Sequence, residues 1–259
     1  MLLGAIGARS KHLRFFSQAI PDSSCRITHV CAMDAPELAY AQSDFVFCKT
    51  PQEVIEHSDA VFLLLREGYQ HAFLAEQAMR FGKPVFVDKP FTCDFLQARR
   101  LCAVSAESGV PCTGGSTICF TPLAQELAAA LPRCREYTLS YQADPFSPFG
   151  GWYFYGSHLT DLCTMLFGGD FHRVHAKCTN ASVSAHVYYS DFTVTLRSSP
   201  QAQPPVLLAD RPYILDDQNC YAAGMAHFLS VTKRETPGCT ERLTDSVRLM
   251  DAILAALHA

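Results

Sequence analysis

The sequence lacks paired cysteines. Its twelve cysteines fall singly, mostly inside apolar segments, and no two have the spacing of a C-x-x-C motif. This pattern argues against a disulfide framework and favours reduced core thiols, with zinc binding as the remaining alternative. His172 and His175 flank a predicted strand, on which residues three apart point to opposite faces. We therefore predict no metal site.

The sequence also lacks long apolar runs and concentrated positive charge. No run approaches the roughly 20 residues that span a bilayer. The opening segment Met1–Gly7 is too short for a signal peptide and has no basic start. The net charge is −4 and the basic residues are scattered, which disfavours a nucleic-acid partner. We expect a soluble, cytoplasmic protein without a membrane anchor.

The most informative segment is the apolar run that leads to Lys89. Val85–Val87 follows Pro84 and is stopped by Pro90, so it predicts a short buried strand. Lys89 would then lie at the carboxyl end of a strand, where open α/β sheets bind their ligands. The alternative is a surface lysine in a strand-to-helix turn.

A second strand and a helix precede this segment. Asp59–Leu65 is almost continuously apolar, and Tyr69–Phe81 carries apolar residues at helical spacing. Strand, helix and strand in this order predict a parallel unit.

This arrangement resembles the Gfo/Idh/MocA family of NAD(P)-dependent oxidoreductases. The strand, His71 in the helix, and an acidic residue, lysine and proline after the next strand carry the resemblance, with Asp88 replacing the family's glutamate. The resemblance implies catalysis by Lys89, a sugar, inositol or polyol substrate, and a homodimer or homotetramer formed through the open face of the second sheet. It also implies cofactor contacts by Leu65, Arg66, His71, Asp88 and Lys89.

The first half of the chain alternates strands and helices. Strands are predicted at Leu2–Ile6, Arg26–Ala32, Asp44–Phe47, Asp59–Leu65, Val85–Val87 and Val110–Gly114. Helices are predicted at His12–Ala19, Pro36–Gln42, Pro51–His57, Tyr69–Phe81 and Phe95–Ser108. The pattern predicts an α/β fold with a Rossmann-type doubly wound parallel sheet and a cofactor crevice at its carboxyl edge.

The loop after the first strand has few glycines for a dinucleotide site. Gly7 fits the turn, but Arg9 or Ser10 occupies a position where Gly-x-Gly-x-x-Gly has glycine. These side chains would crowd the phosphates or contact them directly, so Gly7, Ala8, Arg9 and Ser10 are candidate cofactor residues. The alternative is an ordinary strand-to-helix turn. Asp34 ends the second strand and is either the acid that binds the NAD ribose or a helix cap.

The pattern changes after residues 114–115. A helix is predicted at Leu123–Leu131, followed by strands at Glu136–Gln142, Arg173–Cys178, Ser184–Tyr189, Phe192–Arg197 and Val206–Ala209, and helices at Asn219–Lys233 and Thr240–Leu257. This order predicts an α+β domain with a mostly antiparallel open sheet. We therefore predict a dinucleotide-binding domain over residues 1–115 and a substrate-binding and oligomerisation domain over residues 116–259.

A second cluster of functional candidates lies in this domain. An apolar stripe predicts a helix with His158 in its first turn and Asp161 on the same face. This resembles the family's second signature, in which a histidine and then an aspartate begin a helix over the nicotinamide. Trp152, Tyr153 and Tyr155 could form a platform for a sugar ring, or could pack between the domains.

The chemistry explains why these residues would be needed. Oxidising a secondary alcohol requires a base near the hydroxyl and a cation for the developing negative charge, which are roles for His158 and Lys89. The alternative is a purely structural role, in which His158 caps its helix and Asp161 is a surface acid.

Three features depart from the family pattern. Phe154 stands where a carboxylate usually precedes the histidine, and Cys119 where an arginine is often found. The chain is also shorter than usual, and the resemblance fades beyond about Asp170. The sequence therefore predicts an NAD(P)-dependent oxidoreductase, with NAD favoured by Asp34 and NADP left open by Arg9 and Lys11. The alternative is an inactive or cofactor-free relative that serves as a ligand-binding or partner subunit.

Overall fold

The computed structural model describes residues 1–9, 11–34, 45–179, 181–201 and 203–258. Ser10, the helix predicted over Pro36–Gln42 and the first residue of the strand predicted from Asp44 lie outside the described residues. The rest of the chain forms two six-stranded sheets with helices packed against them.

The first sheet is parallel throughout. Its strands are β1 (Leu2–Ile6), β2 (Arg26–Cys31), β3 (Val46–Phe47), β4 (Ala60–Leu63), β5 (Val85–Val87) and β6 (Cys112–Gly114). They lie in the order β3-β2-β1-β4-β5-β6, which is the order of a dinucleotide-binding Rossmann sheet. The carboxyl ends of β1 and β4 therefore meet at the switch point where ligands bind.

Within the described residues, four α-helices connect these strands. They are α1 (His12–Gln18), α2 (Pro51–Glu56), α3 (His71–Arg80) and α4 (Phe95–Ser108). The Asp94 side chain caps the start of α4 by accepting from Gln97 N, and Gly109 in the left-handed region ends this helix. Thr50 caps α2 in the same way, with Pro51 at the first helical position. Local capping chemistry thus explains why these boundaries match the sequence closely.

The second sheet is mixed. Its strands are β7 (Glu136–Gln142), β8 (Arg173–Thr179), β9 (Ser182–Tyr188), β10 (Thr193–Ser199), β11 (Val206–Leu208) and β12 (Pro212–Ile214). They lie in the order β12-β11-β7-β10-β9-β8, and every pair is antiparallel except β7 and β10. The chain connects this parallel pair through a helix and two strands rather than through a tight turn. The strand β12 was not predicted, since it is three residues long and begins with proline.

Four more helices belong to this half of the chain. They are α5 (Pro122–Ala129), α6 (Tyr153–Phe167), α7 (Cys220–Thr232) and α8 (Glu241–Leu257). The helix α6 begins five residues before His158, so the prediction that His158 lies in the first turn is wrong. Gly150 and Gly151 both have positive φ and end the preceding loop, and nothing after them interrupts the helix. His158 therefore lies in the second turn.

The C-terminal helices pack on the first sheet. Leu243 of α8 belongs to the same buried cluster as Val85 and Val87. On the opposite face of the sheet, Phe228 of α7 contacts Phe62 with ring centroids 4.8 Å apart. The Rossmann sheet is thus covered on both faces only with help from residues beyond the predicted domain boundary.

No helix in the described part of the chain is long and apolar enough to cross a membrane. All twelve cysteines are free thiols. Within the described ranges, no group of three or more histidine, cysteine or acidic side chains is arranged to hold a metal ion.

Candidate active site at the carboxyl edge of the first sheet

Lys89 follows the end of β5 and points into the interface between the two sheets. Its side chain is only 1% exposed, and Nζ donates a hydrogen bond to the carbonyl oxygen of Phe154 at 3.0 Å. Nζ also lies 3.6 Å from the ring centroid of Phe154 and 4.4 Å from that of Tyr155. Aromatic faces attract a cation. Phe154 stands where a carboxylate is usual, and it still holds the Lys89 side chain in place.

Burial changes the protonation of this lysine. Loss of solvation lowers the pKa of Lys89 to about 8, Asp88 opposes this shift, and the nearby Arg66 adds to it. The ammonium form therefore predominates at pH 7, but the proton is held much less tightly than by an exposed lysine.

His158 faces Lys89 from the helix α6. The ring is 7% exposed, and its Nδ1 lies 2.7 Å from Ser116 Oγ. Burial lowers the pKa of His158 well below its ordinary value, and the charge of Lys89 lowers it further. His158 is therefore a neutral imidazole at pH 7. The Tyr155 ring contacts both groups, since its centroid lies 5.4 Å from the His158 ring.

Asp161 does not contact His158 directly, although both lie on one helix face. Its Oδ2 accepts the backbone N–H of Ser116. Burial raises the pKa of Asp161, and Arg242 and hydrogen bonds partly oppose this. A Cβ on Gly115 would lie 2.6 Å from the Asp161 carboxylate, so the glycine is needed for this contact. Asp161 and His158 thus meet at Ser116, which sequence reasoning missed because nothing marks a serine in a crossing segment.

Asp88 has a partner that the sequence did not indicate. Its Oδ2 pairs with Nδ1 of His12, the first residue of α1. Burial alone would raise the pKa of Asp88, but the interaction with His12 outweighs it and the pKa lies below the ordinary value. The sequence feature that could have identified His12 is its position directly after the candidate cofactor residues Gly7–Ser10 and Lys11.

The loop that follows β1 begins with a glycine that no larger residue could replace. Gly7 has φ of +102°, and a Cβ there would lie 2.6 Å from Leu65 N. Asp34 reaches this loop, where its Oδ1 accepts from Ala8 N at 2.7 Å and from Arg9 N at 3.4 Å. Its Oδ2 is buried and has no hydrogen-bond partner among the described residues. An acceptor with a missing donor at this edge fits a ribose hydroxyl, so the residues present fit a bound dinucleotide.

The remaining candidates for cofactor binding divide into two groups. Arg66 reaches the cleft, where its guanidinium lies 4.6 Å from the ring centroid of Phe149. His71 is fully buried, and its Nδ1 and Nε2 lie 2.7 Å from Pro90 O and 3.2 Å from Leu65 O. Because such a ring cannot touch a dinucleotide, the prediction for His71 is wrong. His71 instead ties together the loops that follow β4 and β5.

The three aromatic candidates for substrate binding also separate. Trp152 is 2% exposed in the core of the second sheet, and its indole N–H donates to Ser198 Oγ at 3.1 Å. The prediction that Trp152 forms part of a platform for a sugar ring is therefore wrong, because its side chain packs inside the core of the second sheet. Tyr153 donates to Asp251 Oδ1 at 2.6 Å, which ties α6 to α8. Tyr155 alone lies against both Lys89 and His158.

Comparisons with known proteins agree with this fold. Residues 1–116 match the GFO_IDH_MocA family model, described as an oxidoreductase family with an NAD-binding Rossmann fold. No curated protein matches the chain significantly.

Solved structures share the fold over nearly the whole chain. A 3-ketoreductase from Actinomadura kijaniata, in complex with NADP and TDP-benzene, is 19% identical with a TM-score of 0.80, covering 99% of this chain and 98% of that chain. UDP-N-acetylglucosamine 3-dehydrogenase from Acidithiobacillus ferrooxidans is also 19% identical with a TM-score of 0.80, covering 99% and 97%. The shared fold extends beyond Asp170, where the sequence resemblance fades. Residues 1–116 therefore match the NAD-binding Gfo/Idh/MocA oxidoreductase family, and the whole chain shares the fold of these two solved structures.

Proposed function

We propose that this protein is an NAD(P)-dependent oxidoreductase that interconverts a secondary alcohol and a ketone on a sugar, inositol or related polyol. The observation that carries the proposal is the pairing of an ammonium group and a neutral imidazole on either side of Tyr155. Both groups lie at the carboxyl edge of a sheet whose family binds NAD.

The two side chains supply complementary proton chemistry. Neutral His158 accepts the hydroxyl proton of the alcohol, and the Lys89 ammonium stabilises the negative charge that develops on the same oxygen. In the reverse direction the same groups return a proton to the carbonyl oxygen. A nicotinamide dinucleotide bound at this edge would supply the two-electron acceptor or donor.

The surroundings of Lys89 exclude water from this chemistry. Phe149 and Phe154 pack with ring centroids 5.1 Å apart, and Arg66 lies on Phe149. This cover strengthens the electrostatic effect of Lys89, because the charge acts in a medium of low dielectric constant.

NAD is the proposed cofactor, and Asp34 supports this choice. A carboxylate at this position accepts ribose hydroxyls and would repel the 2′-phosphate of NADP. Arg9 keeps NADP as the alternative, because its guanidinium could pair with that phosphate.

Similarity to solved structures and the position of Tyr155 support the proposed substrate class. The two solved neighbours are a 3-ketoreductase and a UDP-N-acetylglucosamine 3-dehydrogenase. Tyr155 is placed to contact the apolar face of a sugar ring beside Lys89.

Binding of NADH and NADPH should be tested first, by nicotinamide fluorescence and calorimetry. Saturable binding of either supports the proposal, and failure of both to bind would refute it.

Sugars and polyols are then screened for nicotinamide reduction. We expect Lys89→Ala and His158→Ala to lower kcat by about 100-fold or more while the cofactor still binds; full activity in both variants would reject their assigned roles.

A second candidate function is a relative that binds ligands or partners without turnover. One observation favours it: Asp34 already accepts the amides of Ala8 and Arg9, which would otherwise be free to contact a phosphate. The same titration separates the two functions, since this candidate requires that neither dinucleotide binds or that no substrate is turned over.

We also propose that the protein forms a homodimer or homotetramer through the outer face of the second sheet. Alternate residues of β9 and β10 on that face are only half-buried. Light scattering at micromolar concentration should give two or four times the mass of the chain, and a monomer would contradict the proposal.

A further inference from the structure

Ser116 is the hydrogen-bond partner of the His158 ring. Its Oγ lies 2.7 Å from Nδ1, and Ser116 is completely buried. No other hydrogen bond to the His158 side chain is present among the described residues. The opposite nitrogen, Nε2, therefore has no protein partner there and is left for the substrate.

A hydroxyl differs from a carboxylate as a partner for histidine. An ionised carboxylate only accepts, so it fixes the proton on Nδ1 and leaves Nε2 bare. A hydroxyl both donates and accepts. If Nδ1–H donates to Ser116, Nε2 is bare and can accept a proton; if Ser116 donates to Nδ1, Nε2 carries a proton and can only donate a hydrogen bond.

We propose that Ser116 is a positioning residue that sets the tautomer of His158 and so decides whether Nε2 meets the substrate as a bare acceptor or as an N–H donor. The inference rests on the proposed function, because the tautomer matters for catalysis only if His158 moves a proton. It also explains how the site can operate with Phe154 in the place of the usual carboxylate.

Ser116 is itself held in place from the helix that carries His158. Its backbone N–H donates to Asp161, and this contact depends on Gly115. Asp161 is thus a positioning residue for Ser116, acting through the backbone and leaving the hydroxyl available to bond His158.

Other titratable groups surround the His158 ring. Lys89 and Asp88 face it from the end of β5, and His12 from α1. Tyr141 of β7 contacts it edge-on with centroids 5.2 Å apart, and Tyr155 packs from its own helix. Burial, and then the charge of Lys89, lowers the pKa of the ring, which keeps it neutral and makes the tautomer the relevant variable.

The decisive experiment is 15N NMR of histidine-labelled protein. The chain has ten histidines, and loss of a signal in His158→Gln assigns His158. The shifts of Nδ1 and Nε2 are compared at pH 7 between the unaltered protein and Ser116→Ala. We expect the tautomer ratio to change at least two-fold, because Nδ1 loses its partner. Unchanged shifts would overturn the proposal whether or not the protein is active.

Kinetics give the second readout. We expect Ser116→Ala to lower kcat by about 10- to 100-fold in both directions, with the KM of the substrate within about two-fold, and Ser116→Thr to recover at least part of the loss. The matched control is Ser198→Ala, because Ser198 is an equally buried serine that bonds Trp152 and not His158. A kcat in Ser116→Ala no lower than in this control would also overturn the proposal.

The two proposals fail in different ways. If the unaltered protein binds no dinucleotide, the proposed function is rejected, while the NMR comparison still decides whether Ser116 sets the tautomer.

Discussion

Lys89 carries an ammonium group that is held by one carbonyl oxygen and two aromatic rings rather than by an ion pair. Its nearest carboxylate, Asp88, is engaged by His12. The proton of Lys89 is therefore loosely held, and this should be visible in the pH dependence of catalysis.

We predict that kcat/KM for alcohol oxidation is constant from pH 6.5 to about 7.5 and falls above pH 8. The pKa of Lys89 is about 8 and its cationic form is required, whereas the pKa of His158 lies well below this range. The measurement is a pH–rate profile of kcat/KM, which reports groups of the free enzyme.

Two variants test this assignment. Lys89→Arg should be slower but should lose the alkaline decline, because a guanidinium stays protonated. Lys83→Arg, at the other end of β5, is the control and should keep the profile of the unaltered protein. An alkaline decline that persists in Lys89→Arg would contradict the assignment.

We also predict that Lys89→Met stabilises the protein while abolishing activity. The pKa of Lys89 falls from 10.5 to about 8 on folding, so between these values the unfolded chain binds more protons and stability rises with pH. Below pH 8, burial of the charged Lys89 lowers the free energy of unfolding by about 3 kcal/mol, which is the free energy equivalent of such a pKa shift. At pH 7 we expect a gain of about 1–3 kcal/mol in the free energy of unfolding.

Urea denaturation at pH 7 and pH 10 checks this prediction. The gain from Lys89→Met should shrink at pH 10, where Lys89 is neutral in the folded state. A loss of stability at pH 7, or a gain independent of pH, would show that burial of the charge is not the dominant effect.

At the scale of elements, the end of β6 must lie very close to the end of β5. Gly114 has φ of +154°, and a Cβ there would overlap the carbonyl oxygen of Val87. The next residues, Gly115 and Ser116, lead directly to Asp161 and His158. The packing of two strand ends therefore fixes the position of Ser116 beside α6.

We predict that Gly114→Ala costs about 3 kcal/mol or more in the free energy of unfolding, because backbone atoms cannot yield. Gly109→Ala is the matched control, since Gly109 also has positive φ but nothing lies within 4 Å of its Cβ position. This control should cost only about 1 kcal/mol. Equal costs in urea denaturation would show that the close approach at Gly114 is not limiting.

At the scale of the whole molecule, the two halves share their cores. Phe228 and Met225 of α7 complete one face of the first sheet, and Leu243 and Val247 of α8 complete part of the other. The boundary predicted at residue 115 thus follows the change of sheets in the chain but does not separate two independent cores.

We predict that Phe228→Ala destabilises the whole chain by about 3–5 kcal/mol and leaves one cooperative unfolding transition. Phe228 lies outside residues 1–116 but packs on Phe62 and Phe86. Phe73→Ala is the control, because Phe73 is 65% exposed, and it should change stability by less than about 0.5 kcal/mol. Calorimetry that resolves two transitions would contradict the shared core.

The sequence by itself determined most of the helices and strands and the place of Lys89. The helix Phe95–Ser108 and the strand Glu136–Gln142 have the predicted bounds, because caps and alternating burial are local properties of the chain. Lys89 was found for the same reason, since an apolar run stopped by proline specifies a strand end.

Only the tertiary structure decided the partners of these residues. The contacts of His158 with Ser116 and of Asp88 with His12 join residues 42 and 76 positions apart, and no local pattern encodes them. Trp152 and His71 are buried away from the cleft, which the sequence did not indicate. The sequence shows that a side chain is aromatic or titratable but not which surface it faces. Those choices depend on how the two sheets and the C-terminal helices pack against one another.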